Sequence, residues 1–256
     1  YPQGIQAKEF ILPKELLEQN CVISLSKMKT HALERITGAV KNSYGFVYGF
    51  HKAKGHTQYP SADSFARMLI DLNKCVAPKL YVMDGIVAME GNGPGSGDPV
   101  QMNVMLMSTD PVALDSVFSR LVYLKPEMVP TNYHGEKMGL GTWKEEEITL
   151  LTPDGEISMS EAVKRYGNPQ FNVDRTEVRK NIWTRMAGAL NIFQKKPYIE
   201  ADKCVRCGIC VQSCPVPGKA VDFRKGKGKP PVYDYKKCIR CFCCQEMCPE
   251  KAIHVK

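Results

Sequence analysis

Apolar runs alternate with helix-like patterns along the first 166 residues of the chain. Short apolar runs predict strands at 22–25, 80–83, 103–107 and 148–151. Apolar residues at helical spacing predict helices at 32–40, 61–76, 111–124 and 160–166. The third helix has Pro111 in its first turn and Asp110 or Thr109 as its cap. Because strands and helices alternate, the sequence predicts an α/β domain.

The pattern changes in the last third of the chain. Residues 167–176 are rich in polar residues and turn formers, which predicts a linker, and residues 177–194 predict an amphipathic helix. A cysteine-rich segment follows from Pro197 onward. We therefore expect an α/β domain at 1–176, a linking amphipathic helix at 177–196 and a small α+β domain at 197–256.

The cysteine-rich segment repeats itself at an offset of 34 residues. CVRCGICVQSCP (204–215) and CIRCFCCQEMCP (238–249) both follow the pattern C-x2-C-x2-C-x3-C-P. Three cysteines at intervals of three in a curling loop can bind three irons of a [4Fe-4S] cluster, and the fourth binds the other cluster in two-cluster ferredoxins. Over residues 197–256 the segment resembles the bacterial two-cluster ferredoxins. The expected ligands are Cys204, Cys207, Cys210 and Cys248 for one cluster, and Cys238, Cys241, Cys244 and Cys214 for the other.

Two other uses of the cysteines fit this spacing less well. Structural zinc sites use pairs of C-x2-C motifs with four ligands per ion, which leaves the third cysteine and the proline of each motif unexplained. A disulfide framework is typical of secreted chains, and this sequence shows no leader. Cys243 stands opposite Ile209 in the repeat, so we expect a small buried hydrophobic residue there, with a redox-active or substitute ligand as the alternative.

The composition is ordinary for a globular protein, with 43% apolar and 24% charged residues among 256. No apolar run approaches the roughly 20 residues that span a bilayer. Without a charged-then-apolar leader, the sequence predicts a cytoplasmic location. The chain begins at Tyr1 rather than Met, which suggests a fragment or a processed form.

The net charge of +8 belongs entirely to the cysteine-rich end. From Lys195 onward there are 14 basic and 6 acidic residues, and the preceding part has 21 of each. Two oxidised clusters with eight thiolates lower the charge of this end by about four. The glycine-spaced basic run from Arg224 to Lys229 is predicted to form a hairpin tip that is either solvated or docks an acidic redox partner. Nucleic-acid binding is least favoured, because no aromatic residues interleave with the run.

A group of polar residues, SKMKTH (26–31), directly follows the first predicted strand. Loops at the carboxyl ends of strands in α/β sheets often carry binding sites. Lys27, Lys29 and His31 could therefore hold a carboxylate or a phosphate, together with Lys41. A solvated edge without a ligand is an equal alternative.

The glycine-rich segment EGNGPGSGDP (90–99) does not fit a nucleotide-binding loop. Its glycines run G-x-G-x-G-x-G rather than G-x-G-x-x-G, a strand follows in place of a helix, and a Walker lysine is absent. The segment could still approach an anion through its backbone N–H groups, or it could be a plain surface loop. In the polar stretch HKAKGH (51–56), His51 and His56 are expected to be exposed rather than ligands.

Four segments together resemble one known family. SKMKTH, AVKNSYG (39–45), MDGIVAMEGNGPGSGDP (83–99) and STDPVALD (108–115) are similar to the domain of unknown function 362 (DUF 362) family, whose members often carry a C-terminal pair of ferredoxin motifs. The polar motif positions of the family correspond here to Lys27, Lys29, His31, Lys41, Asp84, Glu90 and Asp115. Members usually have a further N-terminal α/β segment with a Lys-Pro-Asn motif. The resemblance therefore implies an α/β domain that is incomplete at its N-terminus.

We expect an iron–sulfur protein with two [4Fe-4S] clusters that transfers electrons between a redox partner and a ligand or partner at the α/β domain. The alternatives are a non-catalytic module with structural or sensory clusters and a reductase of a small anionic substrate. An electron-transfer protein or a component of an oxidoreductase fits the motifs better than a stand-alone enzyme, because no catalytic triad or zinc-protease motif stands out.

Overall fold

The computed structural model describes residues 1–49, 51–177 and 195–256. The helix predicted at 177–194 lies outside the described residues except for Glu177. The described chain forms an α/β region with a mixed sheet, followed by a small C-terminal region, which confirms the predicted fold class. None of the described helices is long and apolar enough to cross a membrane.

A four-stranded sheet organises the α/β domain. Its strands are β1 (Ile23–His31), β2 (Arg35–Thr37), β3 (Leu80–Glu90) and β4 (Asp98–Ser108), in the order β2-β1-β3-β4. β1 and β3 are parallel, whereas the two outer pairs are antiparallel. The carboxyl ends of β1 and β3, at His31 and Glu90, therefore lie at the same end of the sheet. This is the end at which α/β proteins tend to bind ligands.

Helices and one small hairpin complete the α/β domain. The helices are α1 (Lys14–Leu17), α2 (Ala39–Asn42), α3 (His51–Gln58), α4 (Ala62–Val76), α5 (Pro111–Leu121), α6 (Pro130–Lys137) and α7 (Met159–Tyr166), and the hairpin is β5 (Leu150–Thr152) with β6 (Gly155–Ile157). α4 confirms the predicted helix and starts with a capping box at Ser61. α5 starts after Asp110, whose carboxylate accepts the N–H groups of Val112 and Ala113 at 2.7 and 2.9 Å.

Sequence periodicity misplaces the segment between β1 and α2. The helix predicted at 32–40 is wrong, because the chain turns, passes through Arg35 in the left-handed region (φ 67°), forms β2 and only then enters α2. Burial of Ile36 in the sheet core outweighs the helical spacing of the apolar residues. SKMKTH forms the second half of β1 instead of following it, and β3 continues to Glu90, so the glycine loop covers only 91–97.

Two buried apolar clusters stabilise the α/β domain. One lies between the sheet and α5 and includes Met83 and Phe118, and the other surrounds α4. The segment 167–176, predicted to be a linker, contributes Phe171 and Val173 to the first cluster. Each large buried side chain contributes about 1.5–3 kcal/mol, so this segment is part of the packed domain.

The C-terminal domain consists of two small sheets and two short helices. β7 (Pro197–Ile199) pairs with β10 (Ile253–Val255), and β8 (Val221–Asp222) pairs with β9 (Val232–Tyr233). The helices, Ile209–Gln212 and Cys243–Glu246, occupy matching positions in the two cysteine motifs. The basic run 224–229 lies in the exposed loop of the β8–β9 hairpin. A domain this small has little apolar core, so bound metal is expected to contribute much of its stability.

Candidate functional site

Two cavities in the C-terminal domain are each lined by four cysteines. Their volumes are similar, about 340 and 300 Å³, which suits two occupants of the same kind. Each cavity takes three cysteines from one motif and the fourth from the other. The lining cysteines are Cys204, Cys207, Cys210 and Cys248 in the first cavity, and Cys238, Cys241, Cys244 and Cys214 in the second. The structure thus brings together each of the two cysteine sets that the sequence predicts.

Left-handed backbone at matching positions curls each motif around its cavity. Arg206 (φ 60°) and Gly208 (φ 78°) in the first motif correspond to Arg240 (φ 58°) and Phe242 (φ 60°) in the second. These residues lie between the cysteines, where a positive φ bends the chain sharply and helps successive thiols to face the same cavity. The 34-residue sequence repeat is therefore also a repeat of backbone conformation.

The chemistry of the lining groups fits iron–sulfur clusters. The N–H of Ala220 donates to the sulfur of Cys214 at 3.3 Å, and the hydroxyl of Tyr233 donates to the sulfur of Cys244 at 3.2 Å. Such hydrogen bonds stabilise thiolate and tune the potential of a bound cluster. Burial raises the pKa of Cys210 to about 11, so metal binding there must release a proton. Among the described residues, no three His, Cys, Asp or Glu side chains converge as the ligands of a single ion do.

Cys243 is buried but lines neither of these two cavities. A hydrogen bond with Cys241, together with burial, raises the pKa of Cys243 far above that of a free thiol. The thiol also acts electrostatically on Tyr44 of the α/β domain. Cys243 therefore lies on the side of the second motif that faces the α/β domain, in the buried setting that the sequence predicts.

The glycine loop between β3 and β4 is the surface on which the C-terminal domain docks. The fully buried side chain of Gln245 donates to the carbonyl groups of Asn92 and Gly93 at 2.7 and 3.2 Å. A β-carbon on Gly95 would lie 2.8 Å from the carbonyl oxygen of Glu246, so the close approach of the two backbones requires glycine there. The loop is thus an interdomain contact, a role that its sequence did not suggest.

His31 and Glu246 meet at this junction of the two domains. His31 Nδ1 accepts the N–H groups of Leu33 and Glu34, each at 3.1 Å, so the ring proton lies on Nε2. Nε2 is 3.0 Å from Glu246 Oε1, but the approach is too bent for a well-formed hydrogen bond. Burial and the positive charge of Lys41 lower the pKa of His31 to about 4, which leaves the ring neutral at pH 7.

The two carboxyl groups of the junction differ in charge. Burial alone would raise the pKa of Glu246, but His31, Lys41 and His56 lower it to about 2, so Glu246 is ionised. Burial raises the pKa of Glu34 well above its ordinary value, which favours the uncharged acid. Within the described part of the chain, neither carboxyl oxygen of Glu34 has a hydrogen-bond partner.

The prediction of an exposed His56 is wrong. Its side chain is buried, because the ring stacks on Phe65 with the centroids 4.4 Å apart and meets the ring of Tyr44 edge-on. Burial lowers the pKa of His56 to about 4, since the charged ring would lose its hydration. In the described chain, His56 Nδ1 has no hydrogen-bond partner.

Lys29 and Lys41 supply the positive charge of the junction. Both side chains are half-buried, and neither makes a hydrogen bond or an ion pair within the part of the chain that the structure describes. Burial and repulsion by Lys41 lower the pKa of Lys29. Lys41 also acts electrostatically on His31, Glu34 and His56, so it is near all three.

The other predicted polar residues occupy different positions. Lys27 and Asp84 form an exposed ion pair at 2.5 Å across β1 and β3. The carboxylate of Glu90 accepts the N–H of Asn172 at 2.7 Å and so ties the end of β3 to the segment 167–176. Neither arrangement brings these side chains into the group around His31.

Asp115 is buried in α5 and caps α2. Its carboxylate accepts the N–H groups of Ala39 at 2.5 Å and Val40 at 3.1 Å. Burial raises its pKa to about 7, although these two hydrogen bonds oppose the shift. A β-carbon on Gly38 would lie 1.9 Å from the Asp115 carboxylate, so glycine is needed for the contact. The position explains Asp115 by helix capping, without a ligand.

The sequence reasoning missed the junction residues of the second motif. Gln245 and Glu246 align with Val211 and Gln212 of the first motif in the 34-residue repeat. These positions are not part of the cysteine pattern. Their difference between the two motifs was the sequence signal that could have indicated a contact specific to the second motif. Glu34 and His56 carry no such signal, because only the fold makes them buried neighbours of Lys41.

Two segments of the chain match known protein families. Residues 1–120 match the model of a domain of unknown function (DUF362), and residues 196–249 match that of a 4Fe-4S dicluster domain, as the motifs predicted. The thylakoid-associated protein sll1697 of Synechocystis sp. is 41% identical over 130 residues, which cover 50% of this chain and only 40% of that relative. No solved structure gives a significant match. The N-terminal region of the chain is thus similar to the DUF362 family, and its C-terminal region is similar to the 4Fe-4S dicluster domains.

Proposed function

We propose that the chain is an electron-transfer protein that holds two [4Fe-4S] clusters, one in each cysteine-lined cavity. The match to a 4Fe-4S dicluster domain supports the type of cofactor. The number of clusters rests on one observation: each cavity is lined by three cysteines of one motif and one of the other. When bound, such clusters exchange single electrons at potentials set by burial and by hydrogen bonds to sulfur.

Crossed ligation is central to this proposal. Cys248 would complete the ligand set of the first motif, and Cys214 that of the second, so neither cluster could form from one motif alone. The two motifs would then fold and load as one unit. We assign this unit to residues 197–256, after an α/β domain at 1–176 and a linking segment at 177–196.

The two motifs are proposed to serve different exchange partners. Cys207 of the first motif is exposed, whereas Cys241 and Cys244 of the second are buried. The second motif also contacts the α/β domain through Gln245 and Glu246. A redox partner would therefore approach the first motif, and a ligand or partner at the α/β domain would exchange electrons at the second.

The proposed redox partner presents an acidic surface to the β8–β9 loop. Arg224 pairs with Asp234 at 3.3 Å, and three exposed lysines, Lys225, Lys227 and Lys229, extend the positive charge into solvent. Opposite charges on two such surfaces accelerate association, and salt weakens the effect. A reduction rate that falls with ionic strength, and falls further when the three lysines are replaced by Gln, would support this docking surface.

Anaerobic purification and reconstitution of the full chain test the proposal. We expect about eight irons and eight acid-labile sulfides per chain, and reversible one-electron signals in EPR after reduction with dithionite. Stoichiometric zinc in place of iron would overturn it. Clusters that load fully but resist reversible reduction would instead favour the non-catalytic module with structural clusters.

A further inference from the structure

The domain junction gathers polar groups that electron transfer through the cysteine motifs does not require. They are Lys29, His31, Glu34, Lys41, His56 and Glu246. Burial lowers the pKa of His31 and of His56 to about 4 and raises the pKa of Glu34 well above its ordinary value. Lys29 and Lys41 are half-buried there, and within the described residues neither side chain makes a hydrogen bond or an ion pair.

Several buried polar atoms in the same place have unused hydrogen-bonding capacity. Both carboxyl oxygens of Glu34 and the Nδ1 atom of His56 lack partners among the described residues, and His31 Nε2 meets Glu246 at a poor angle. Buried polar atoms in folded proteins are nearly always paired, so such a concentration indicates that another molecule completes the pairing. Water could pair with these atoms, but it would leave Lys29 and Lys41 without a carboxylate or phosphate partner.

We propose that the junction binds a small molecule through an oxyanion group, a carboxylate or a phosphate, with Lys29 and Lys41 as the anion-binding pair. Glu34 and His56, whose buried polar atoms lack partners among the described residues, supply hydrogen-bonding groups to the remainder of the ligand. The redox role of this site rests on the proposed function, because the ligand would lie beside the second cysteine motif, from which Glu246 enters the junction. The half-buried lysine side chains keep the site within reach of solvent.

The position in the fold supports a ligand site independently of the charges. Lys29 and His31 lie at the carboxyl end of β1, next to the carboxyl end of the parallel strand β3. Ligands of open α/β sheets bind outside this end of the strands. The C-terminal domain covers the same end through Gln245 and Glu246, so a ligand there would contact both domains.

Isothermal titration of the cluster-loaded full chain tests the site. The probes are inorganic phosphate and succinate at low ionic strength, with succinamide as an uncharged control of the same size. We expect saturable binding of at least one anion and none of succinamide. Lys29→Gln and Lys41→Gln should each weaken the binding about tenfold or more, because each removes a charge-assisted hydrogen bond. Lys41→Gln should have the larger effect, since Lys41 is near every other group of the junction.

Lys27→Gln is the matched control, because Lys27 lies on the same strand but pairs with Asp84 on the exposed face. It should leave the anion affinity within about twofold of the unmodified chain. The site is overturned if neither anion binds saturably, or if Lys27→Gln and Lys41→Gln weaken binding equally. It is also overturned if Lys29→Gln and Lys41→Gln shift the midpoint potential of the clusters but leave the anion affinity unchanged, since the lysines would then balance cluster charge.

Iron content and the EPR signal, measured on the same samples, separate this site from the proposed function. A chain that loads about eight irons and is reduced reversibly but binds no anion would refute the ligand site alone. A chain that binds an anion through Lys41 but takes up no iron would refute the electron-transfer function and leave the site standing. Lys41→Arg, which keeps the charge, should retain most of the anion affinity and thereby exclude misfolding as the cause of the loss.

Discussion

The two cysteine motifs have the same backbone conformation but lie in different surroundings. Positive φ angles recur at the same positions, and each motif lends one cysteine to the cavity of the other. Yet the exposed Cys207 places the first motif at the surface, while the second motif docks on the glycine loop through Gln245. The cavity cysteines are alike in the two motifs, whereas the other positions of the short helix, which follows the second left-handed residue of each motif, differ.

This difference separates metal binding from domain docking. On the short helix, the sequence changes from the first motif to the second are Ile209 to Cys243, Val211 to Gln245 and Gln212 to Glu246. They alter no cavity cysteine, and they place a thiol, an amide and a carboxylate against the α/β domain. The repeat thus lets one copy keep its exposed surface while the other acquires a buried polar contact.

The largest expected effect comes from breaking the crossed arrangement. Cys248→Ala should remove the fourth ligand of the first cavity and lower the iron content from about eight to about four per chain or fewer. Cys243→Ala, five residues earlier, should keep about eight, because Cys243 lines neither cavity. Iron and sulfide analysis of both variants after identical reconstitution decides the matter. Full iron in Cys248→Ala, or iron loss in Cys243→Ala, would contradict the ligand assignment.

A smaller effect is expected from breaking the docking contact. Gln245→Ala leaves the carbonyl groups of Asn92 and Gly93, which are partly and fully buried, without their donor, which should cost about 1–3 kcal/mol of stability. Gln212→Ala is the control from the first motif, where the residue is exposed, and should change stability by less than about 0.5 kcal/mol. Urea midpoints of the loaded proteins measure both. Equal midpoints for the two variants would show that the amide does not stabilise the junction.

The cysteine domain could be predicted from sequence because its information is local and repeated. The cysteine spacing, together with the crossed ligation of two-cluster ferredoxins, predicted the two sets of four cysteines that line the cavities, and their role as cluster ligands stays a prediction. The helix α4 and the cap of α5 were equally accessible, because Ser61 and Asp110 act on backbone groups within three residues. Features of this kind depend on neighbours in the chain.

The junction could not be predicted, because it depends on contacts between distant residues. Burial of Ile36 turned a helical pattern into the strand β2, and burial against Phe65 turned an exposed polar stretch into a buried His56. Of the polar positions implied by the family resemblance, Lys29, His31 and Lys41 meet at the junction. The remaining ones serve as an ion pair, a loop anchor and a helix cap, which their sequence neighbours did not reveal.

The buried junction should make the stability of the chain depend on pH. His56 has its pKa lowered from about 6.5 to about 4 in the folded chain, so the unfolded chain binds more protons between these values and stability must fall as the pH drops through them. His56→Phe keeps the stacking on Phe65 and removes the titration. The loss of stability between pH 7 and pH 5 should shrink by about 2 kcal/mol. Urea midpoints at the two pH values give this difference.

A control on the exposed side sharpens that result. His254 is partly exposed and lies 3.0 Å from Glu200 in the C-terminal domain, away from the stacked ring of Phe65. In His254→Phe the fall in stability between pH 7 and pH 5 should stay nearly as large as in the unmodified chain, whereas in His56→Phe it should shrink. If the fall in stability shrinks equally in both variants, the pH dependence does not come from the buried junction.

The smallest effect is expected at Lys27, two residues from Lys29 on the same strand. The Lys27–Asp84 pair is exposed on both sides, and such pairs contribute about 0–1 kcal/mol, because water and salt screen the attraction. The hydrogen bond from Lys27 lowers the pKa of Asp84. The stability that the pair contributes is therefore present above the ordinary pKa of an aspartate and is lost as the pH falls through the lowered pKa of Asp84. Lys27→Gln should therefore change the urea midpoint at pH 7 barely measurably, and less in 0.5 M salt than in 0.05 M salt. A destabilisation as large as that of Gln245→Ala would mean that Lys27 is covered in solution. The distinction between an exposed Lys27 and a half-buried Lys29 would then be wrong.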